Sequence, residues 1–295
     1  MLTSYFAELP NGMRLHYVAA GEGPLILFVH GFPEFWYEWK NQLAAFAGDH
    51  RAAALDMRGH NLSSKPADVE AYRPKHLVED LRLLIDHLGG KPCAMVAHDW
   101  GGAVAWNFAA QHPDYLSKLV IINAPHPVIF AKELRDNPAQ QEASAYMNLF
   151  RDAKAERVLS EDGYARLLRM TLDDWGRNGG IVTGEDRRAY LDAWAQPGAL
   201  ICALNFYRAS PLYPPANDDP AAADRLKLDP ARFRVDVPTL VIWGERDDAL
   251  LLGNLAGLEE HVSRLTVRRV PDASHWVVHE RPDVVNHAIR EFVSR

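Results

Sequence analysis

Between residues 25 and 123, four short apolar runs alternate with longer stretches of helical periodicity: Leu25 to Val29, Arg51 to Leu55, Cys93 to Ala97 and Leu119 to Asn123. Apolar runs of about 4–8 residues without polar alternation suit strands buried on both faces, as in parallel sheets joined by crossover helices. MRLHYVAA, entered through the turn signal Pro10-Asn11-Gly12, adds half of an opening hairpin. The pattern predicts an α/β chain built on a mostly parallel, doubly wound sheet.

From about Pro127 to about Leu226 strand-like runs largely vanish, and Ala-rich, Leu-rich and charged helical patterns take over. Pro214, Pro215 and the Asn217-Asp218-Asp219-Pro220 cluster stand near the end of this stretch. Sheet texture returns at Leu240 to Trp243 and Leu265 to Val270, and a terminal helix is expected from about Pro282. We therefore expect residues 1–126 and 227–295 to form one core, with a helical cap, 127–226, inserted into it.

Bulk properties exclude several classes. A 48% hydrophobic chain of 295 residues can bury a sizeable core, and a net charge of -7 without like-charge blocks leaves no footprint for nucleic acid or an anionic membrane. The first residues show no basic segment leading into an apolar stretch, so no signal peptide is expected and a cytoplasmic location follows. Apolar runs fall far short of the ~20 residues of a membrane helix. The two cysteines, Cys93 and Cys202, offer neither a disulfide framework nor a CxxC pattern.

The strongest local signal is Val96-Ala97-His98-Asp99-Trp100-Gly101-Gly102. A strand runs into a helix through a tight turn, with small residues two positions either side of Asp99, which is the spacing of a nucleophile elbow. Aspartate instead of serine redirects the chemistry. A carboxylate attacking an ester would give a labile anhydride, whereas attack on an alkyl carbon gives an ester that water can cleave. The motif alone reads equally well as an aspartate capping the following helix.

Two later strands add partners. Leu240 to Trp243 leads into Gly244-Glu245-Arg246-Asp247-Asp248, and Leu265 to Val270 into Asp272-Ala273-Ser274-His275-Trp276. The chain order of nucleophile, acid and histidine suits Asp99, Asp247 and His275, with His275 as general base on water and Asp247 orienting its ring. Asp248 is the rival acid, read as a solvated turn residue. After the first buried parallel strand, His30-Gly31-Phe32-Pro33 can aim the Phe32 N–H at the elbow, pairing it with the Trp100 N–H as an oxyanion hole.

With these segments in view the chain resembles, over essentially its whole length, the epoxide hydrolase branch of the α/β-hydrolase superfamily. HGFPEFWYEW at 30–39, the Asp56-Met-Arg-Gly-His60 turn, HDWGG at 98–102, WGERDDAL and SHW carry the resemblance. It implies an α/β-hydrolase fold with an inserted cap and hydrolysis of an epoxide to a diol through an ester on Asp99. Two cap tyrosines would hold the epoxide oxygen; Tyr146 in AYMNLF and Tyr207 in LNFYR match those positions. Packing tyrosines on amphipathic helices are the bland alternative. His30, Pro33, Trp36 and Trp276 are expected to line the substrate pocket. The expected partner is a small molecule, the protein a monomer or homodimer, and no cofactor is called for.

Haloalkane and fluoroacetate dehalogenases share the aspartate core and form the alternative, and a non-catalytic ligand-binding relative is a second. The chain departs from the dehalogenases at several positions. Trp100 and Ala103 stand where arginines hold fluoroacetate, Asn123 where some relatives keep their acid, and Phe32 where asparagine binds halide. The indole N–H of Trp100 could still bind a halide. Gly21-Glu22-Gly23 precedes a strand and is no dinucleotide loop. His275 and His279 have the i, i+4 spacing of a metal pair but lack an HExxH glutamate, and both are expected on a loop before Pro282, so no metal is expected.

Overall fold

The computed structural model describes residues 2–215 and 221–294; the Asn217 to Pro220 cluster lies outside them. The strands are β1 (Thr3–Glu8), β2 (Arg14–Ala20), β3 (Leu25–Val29), β4 (Arg51–Leu55), β5 (Cys93–His98), β6 (Leu116–Ile122), β7 (Thr239–Gly244) and β8 (Leu265–Val270). Among the described residues they form one eight-stranded sheet in the order β1-β2-β4-β3-β5-β6-β7-β8. β1 pairs antiparallel with β2 and β2 with β4; the remaining pairs are parallel. This is the mostly parallel, doubly wound sheet of an α/β-hydrolase fold.

Core helices flank both faces: α1 (Lys40–Phe46), α2 (Pro74–Leu88) and α3 (Asp99–Gln111). Alternate strand residues feed two cores. Phe28, Val96, Val120 and Ile242 pack with Leu43 and Phe46 of α1, while Leu27, Met95, Ile121 and Val241 pack with the side of Leu81 and Phe108.

Between β6 and β7 the chain is helical: α4 (Pro127–Asp136), α5 (Pro138–Ala143), α6 (Tyr146–Arg151), α7 (Ala155–Met170), α8 (Leu172–Arg177), α9 (Gly184–Trp194), α10 (Ala199–Ala209) and α11 (Ala222–Arg225). α12 (Val277–Glu280) and α13 (Pro282–Val293) follow β8, and α13 closes over the α1 face through Val285 and Ile289.

Two details differ from the sequence reading, at Asn123 and at His279, and the bounds of β8 agree with it. β6 ends at Ile122, and Asn123 turns out of it with φ 37°. β8 is an edge strand on which only Val270 is buried. His279 lies in α12 and not on a loop.

Successive crossovers send β4 to one side of β3 and β5 to the other, which makes the β3/β5 boundary the switch point of the sheet. The carboxyl ends of strands at such a point open a crevice. Phe32 follows β3 and Asp99 follows β5 there.

Candidate active site

Asp99 opens α3 with φ 48°, in the left-handed region that non-glycine residues rarely enter. Close packing imposes it. A Cβ on Gly101 would stand 2.3 Å from the carbonyl oxygen of Val29, and one on Gly31 would stand 2.4 Å from the Asp99 Cβ. β3 and the elbow therefore fit together only because both positions are glycine. The helix-cap role is not taken up: the N-cap residue is His98, with no side-chain cap bond. Instead Asp99 Oδ1 accepts the Phe32 N–H at 2.7 Å. The N–H of Trp100, in the first turn of α3, has no acceptor within the helix.

The second oxygen, Oδ2, stands 3.7 Å from His275 Nε2. His275 Nδ1 faces Asp247 Oδ2 at 2.7 Å. Asp247 is buried, and its Oδ1 accepts the N–H groups of Ala249 and Leu250 at 2.9 and 2.8 Å. Asp248 is exposed. The three groups thus form a row from solvent-shielded acid to histidine to elbow, each on the carboxyl end of a different strand.

Electrostatics follow from this row. Burial works against charge on His275, but the carboxylate of Asp247, followed by that of Asp99, outweighs it and raises the pKa to about 9. Burial likewise works against charge on Asp247, yet His275 and the donated N–H groups hold its carboxyl below the usual range. The resting row therefore has imidazolium between two carboxylates.

Tyr146 opens α6 and Tyr207 sits near the end of α10, with ring centroids 6.2 Å apart. Tyr207 also stacks edge-on against Trp100 at 5.0 Å and Phe32 at 5.2 Å. Burial, followed by Asp99 for Tyr146 and by Tyr146 and then Asp99 for Tyr207, pushes both phenols above their ordinary pKa. Both stay protonated, as donors must.

Two clefts reach Asp99. One of about 970 Å³ is walled by apolar residues such as Leu77, Val104, Met147, Phe206 and Leu250. The other, about 1000 Å³, runs past Pro33, His275 and Trp276 to a polar rim with Arg169, Asp174 and Asp248. Tyr146 and Tyr207 line both.

Among the described residues, His30 and Trp36 line neither cleft, contrary to expectation. His30 is fully buried and neutral: its Nδ1 donates to Gly31 O at 2.7 Å and its Nε2 accepts from Met57 N at 2.9 Å, shaping the Phe32 turn from behind. Trp36 packs edge-on against Phe35 and Tyr37, and its N–H holds Asp56.

Two residues that the sequence reading gave no role hold the site together. Asn123 donates to Asp247 Oδ2 at 2.8 Å and accepts from Gly244 N at 2.8 Å. Arg151 of α6 donates to the carbonyls of Tyr207, Arg208 and Ser210, at 3.2 and 3.0 Å for the last two, so the helix bearing Tyr146 is tied to the one bearing Tyr207. The position of Asn123 straight after a central strand was a usable signal; for Arg151 there was none.

Among the described residues no group of three or more His, Cys, Asp or Glu side chains is placed to hold a metal. His279 instead stacks on Trp175, 3.8 Å between ring centroids, and faces Glu34. No helix among them is long and apolar enough to cross a membrane.

The family described as alpha/beta hydrolase fold matches residues 24–282, and the chain belongs to that family. Within it the chain is a hydrolase of the epoxide hydrolase branch. It is 36% identical to epoxide hydrolase 4 of Mus musculus over 294 residues, 96% of this chain and 77% of the relative. It is similar in structure to an epoxide hydrolase of Bacillus megaterium solved with an inhibitor, with TM-score 0.90 and 35% identity, covering 99% of this chain and 100% of that one. A metagenomic epoxide hydrolase from hot environments is 40% identical, with TM-score 0.86 and 99% of both chains covered.

Proposed function

We propose that the chain hydrolyses an epoxide to a vicinal diol through a covalent ester on Asp99. The observation that carries this reading is the convergence on one carboxylate of a histidine–aspartate pair from the core and two phenols, Tyr207 buried and Tyr146 half-buried, from the inserted helices, 127–226, which we read as a cap. The kinship to epoxide hydrolases supports the same reaction.

Oδ1 is held by the Phe32 N–H, so Oδ2 is the oxygen free to attack. It displaces the ring oxygen from the less hindered carbon, and Tyr146 and Tyr207 donate hydrogen bonds and a proton to the departing alkoxide. The tyrosine regains that proton, through solvent, from the imidazolium of His275. Asp99 is now a neutral ester. One of the charges that raised His275 has disappeared, and the imidazole, still oriented by Asp247, becomes a base.

Neutral His275 takes a proton from water, whose oxygen attacks the ester carbonyl carbon. Charge develops on Oδ1, where the Phe32 and Trp100 N–H groups stabilise it. Collapse releases the diol with the former Oδ2 and restores carboxylate and imidazolium. Epoxide and water are consumed, the diol is formed, and no cofactor enters.

Halide displacement by the same nucleophile is the competing chemistry. The two phenols favour an alkoxide leaving group, which needs a proton, over halide, which does not. Incubation with styrene oxide, a haloalkane and fluoroacetate, scoring diol against halide release, separates the two. Single turnover in oxygen-18 water should label the Asp99 peptide; an unlabelled peptide overturns the covalent scheme.

A further inference from the structure

Glu38, in the turn Trp36–Trp39, is a fully buried carboxylic acid beneath the triad that the scheme above does not use. Its Oε1 stands 2.6 Å from His98 Nδ1, and its Oε2 accepts the Gly31 N–H at 3.3 Å. His98 reaches across to the carbonyl oxygen of His275 through Nε2 at 3.0 Å. A carbonyl only accepts, so Nε2 bears a hydrogen and donates it. The two atoms meet as a close polar contact, and among the described residues neither Glu38 Oε1 nor His98 Nδ1 has a hydrogen-bond partner elsewhere.

We propose that Glu38 is a positioning residue of the reaction, fixing through Gly31 and His98 the three chain segments that carry the oxyanion donor, the nucleophile and the base. Gly31 precedes Phe32, His98 precedes Asp99, and the carbonyl that His98 holds is that of His275 itself. One side chain on one short turn thus registers the ends of β3 and β5 and the loop after β8.

With Nε2 protonated, a single proton lies between Glu38 Oε1 and His98 Nδ1. Burial and then the neighbouring Glu34 drive the Glu38 carboxyl well above its usual range, while burial and then His275 lower His98 to about 4. The proton therefore resides on Glu38 and the pair is neutral. It orders the three segments without placing a further charge beside Asp99, and burying an ion there would carry a large desolvation cost.

A neutral acid at this position has a close mimic. Glutamine donates N–H to His98 Nδ1 and offers a carbonyl to Gly31 N, whereas leucine fills the space and does neither. The effect should fall on hydrolysis of the ester, which needs oxyanion donor, base and water aligned together, more than on its formation.

This inference rests on the covalent reading, and the experiment keeps the two apart. Wild type, Glu38→Gln and Glu38→Leu are mixed rapidly with styrene oxide and quenched, and the alkyl adduct is followed by mass through its rise and decay, with thermal unfolding recorded for each. We expect decay in Glu38→Leu to slow about ten- to a hundredfold, the scale of a small misplacement of reacting groups. Its adduct should form within about threefold of wild type, and Glu38→Gln should match wild type within about threefold in both steps.

A Leu variant that decays like wild type overturns the inference alone, as do Gln and Leu variants slowed equally in both steps. Absence of any adduct in wild type overturns the covalent reading and this inference with it. If the Leu variant does not fold, Glu38→Ser is read by the same criteria.

Discussion

Asn123 Nδ2 and His275 Nδ1 converge on the same oxygen of Asp247, Oδ2, at 2.8 and 2.7 Å. The amide therefore fixes the acid, and the acid fixes the base. Asn123→Ala leaves a buried carboxylate and the Gly244 N–H short of partners and puts alanine in a left-handed conformation. Equilibrium urea unfolding should show a loss of about 1–3 kcal/mol. Adduct decay should slow about tenfold, with adduct formation little changed.

His275→Gln removes the base but neither the nucleophile nor the phenols. Treated with an epoxide, this variant should accumulate the Asp99 ester to one equivalent and hold it, with turnover down about 10²–10⁴-fold. Intact-protein mass spectrometry reads the adduct directly. Multiple turnovers at the wild-type rate would show that another group activates the water.

Tyr146 and Tyr207 act before the ester exists. Replacing either with Phe should lower the rate of adduct formation about ten- to a hundredfold while decay is unaffected, and the double variant should lose about 10³-fold or more. Stopped-flow tracking of tryptophan emission, to which Trp100 beside Tyr207 contributes, gives both phases. Unaltered formation in the double variant would remove the phenols from the mechanism.

The pKa of His275 rises from 6.5 in a free chain to about 9 in the folded one, so its ion pairs stabilise the charged form. That contribution is complete below pH 6.5 and is lost as pH climbs through about 9. The melting temperature should fall across this window, and less so in His275→Gln. In the adduct the Asp99 charge is gone, so the rate of decay should rise to a plateau with a midpoint below that of the resting enzyme.

Arg151→Met keeps the aliphatic stem but releases three carbonyls at the end of α10. The two tyrosines lose their common tether. Adduct formation should slow several-fold, with a stability loss of about 1 kcal/mol, since partly buried carbonyls lose a donor. Unchanged kinetics would mean that aromatic packing alone sets the spacing of Tyr146 and Tyr207.

The parallel sheet, the helical insertion and the elbow were legible because each rests on local chemistry: apolar runs, helical periodicity and small residues flanking Asp99. Chain order named His275 and an acid after β7, because loops after neighbouring parallel strands must meet at one edge, and the Gly244-x-x-Asp247 spacing chose Asp247 over Asp248. His30 and Trp36 were misplaced for a related reason. Sequence shows that they adjoin the Phe32 turn but not which side of the backbone they take, and His30 turned inward to bond Met57 N. Glu38 and Arg151 were silent because their partners are backbone groups or a residue about 60 positions away, which no spacing rule connects.

The close approach of Gly31 and Gly101 to the elbow also bears on how this protein can change. Alanine at either position alters no charge, no acid and no base, yet it would drive a methyl group into Asp99 or into β3. Mutational tolerance is thus lowest where side-chain chemistry is absent. Substrate range can drift through the apolar wall of Met147 and Phe206, while the turn that presents the nucleophile is locked by two hydrogens.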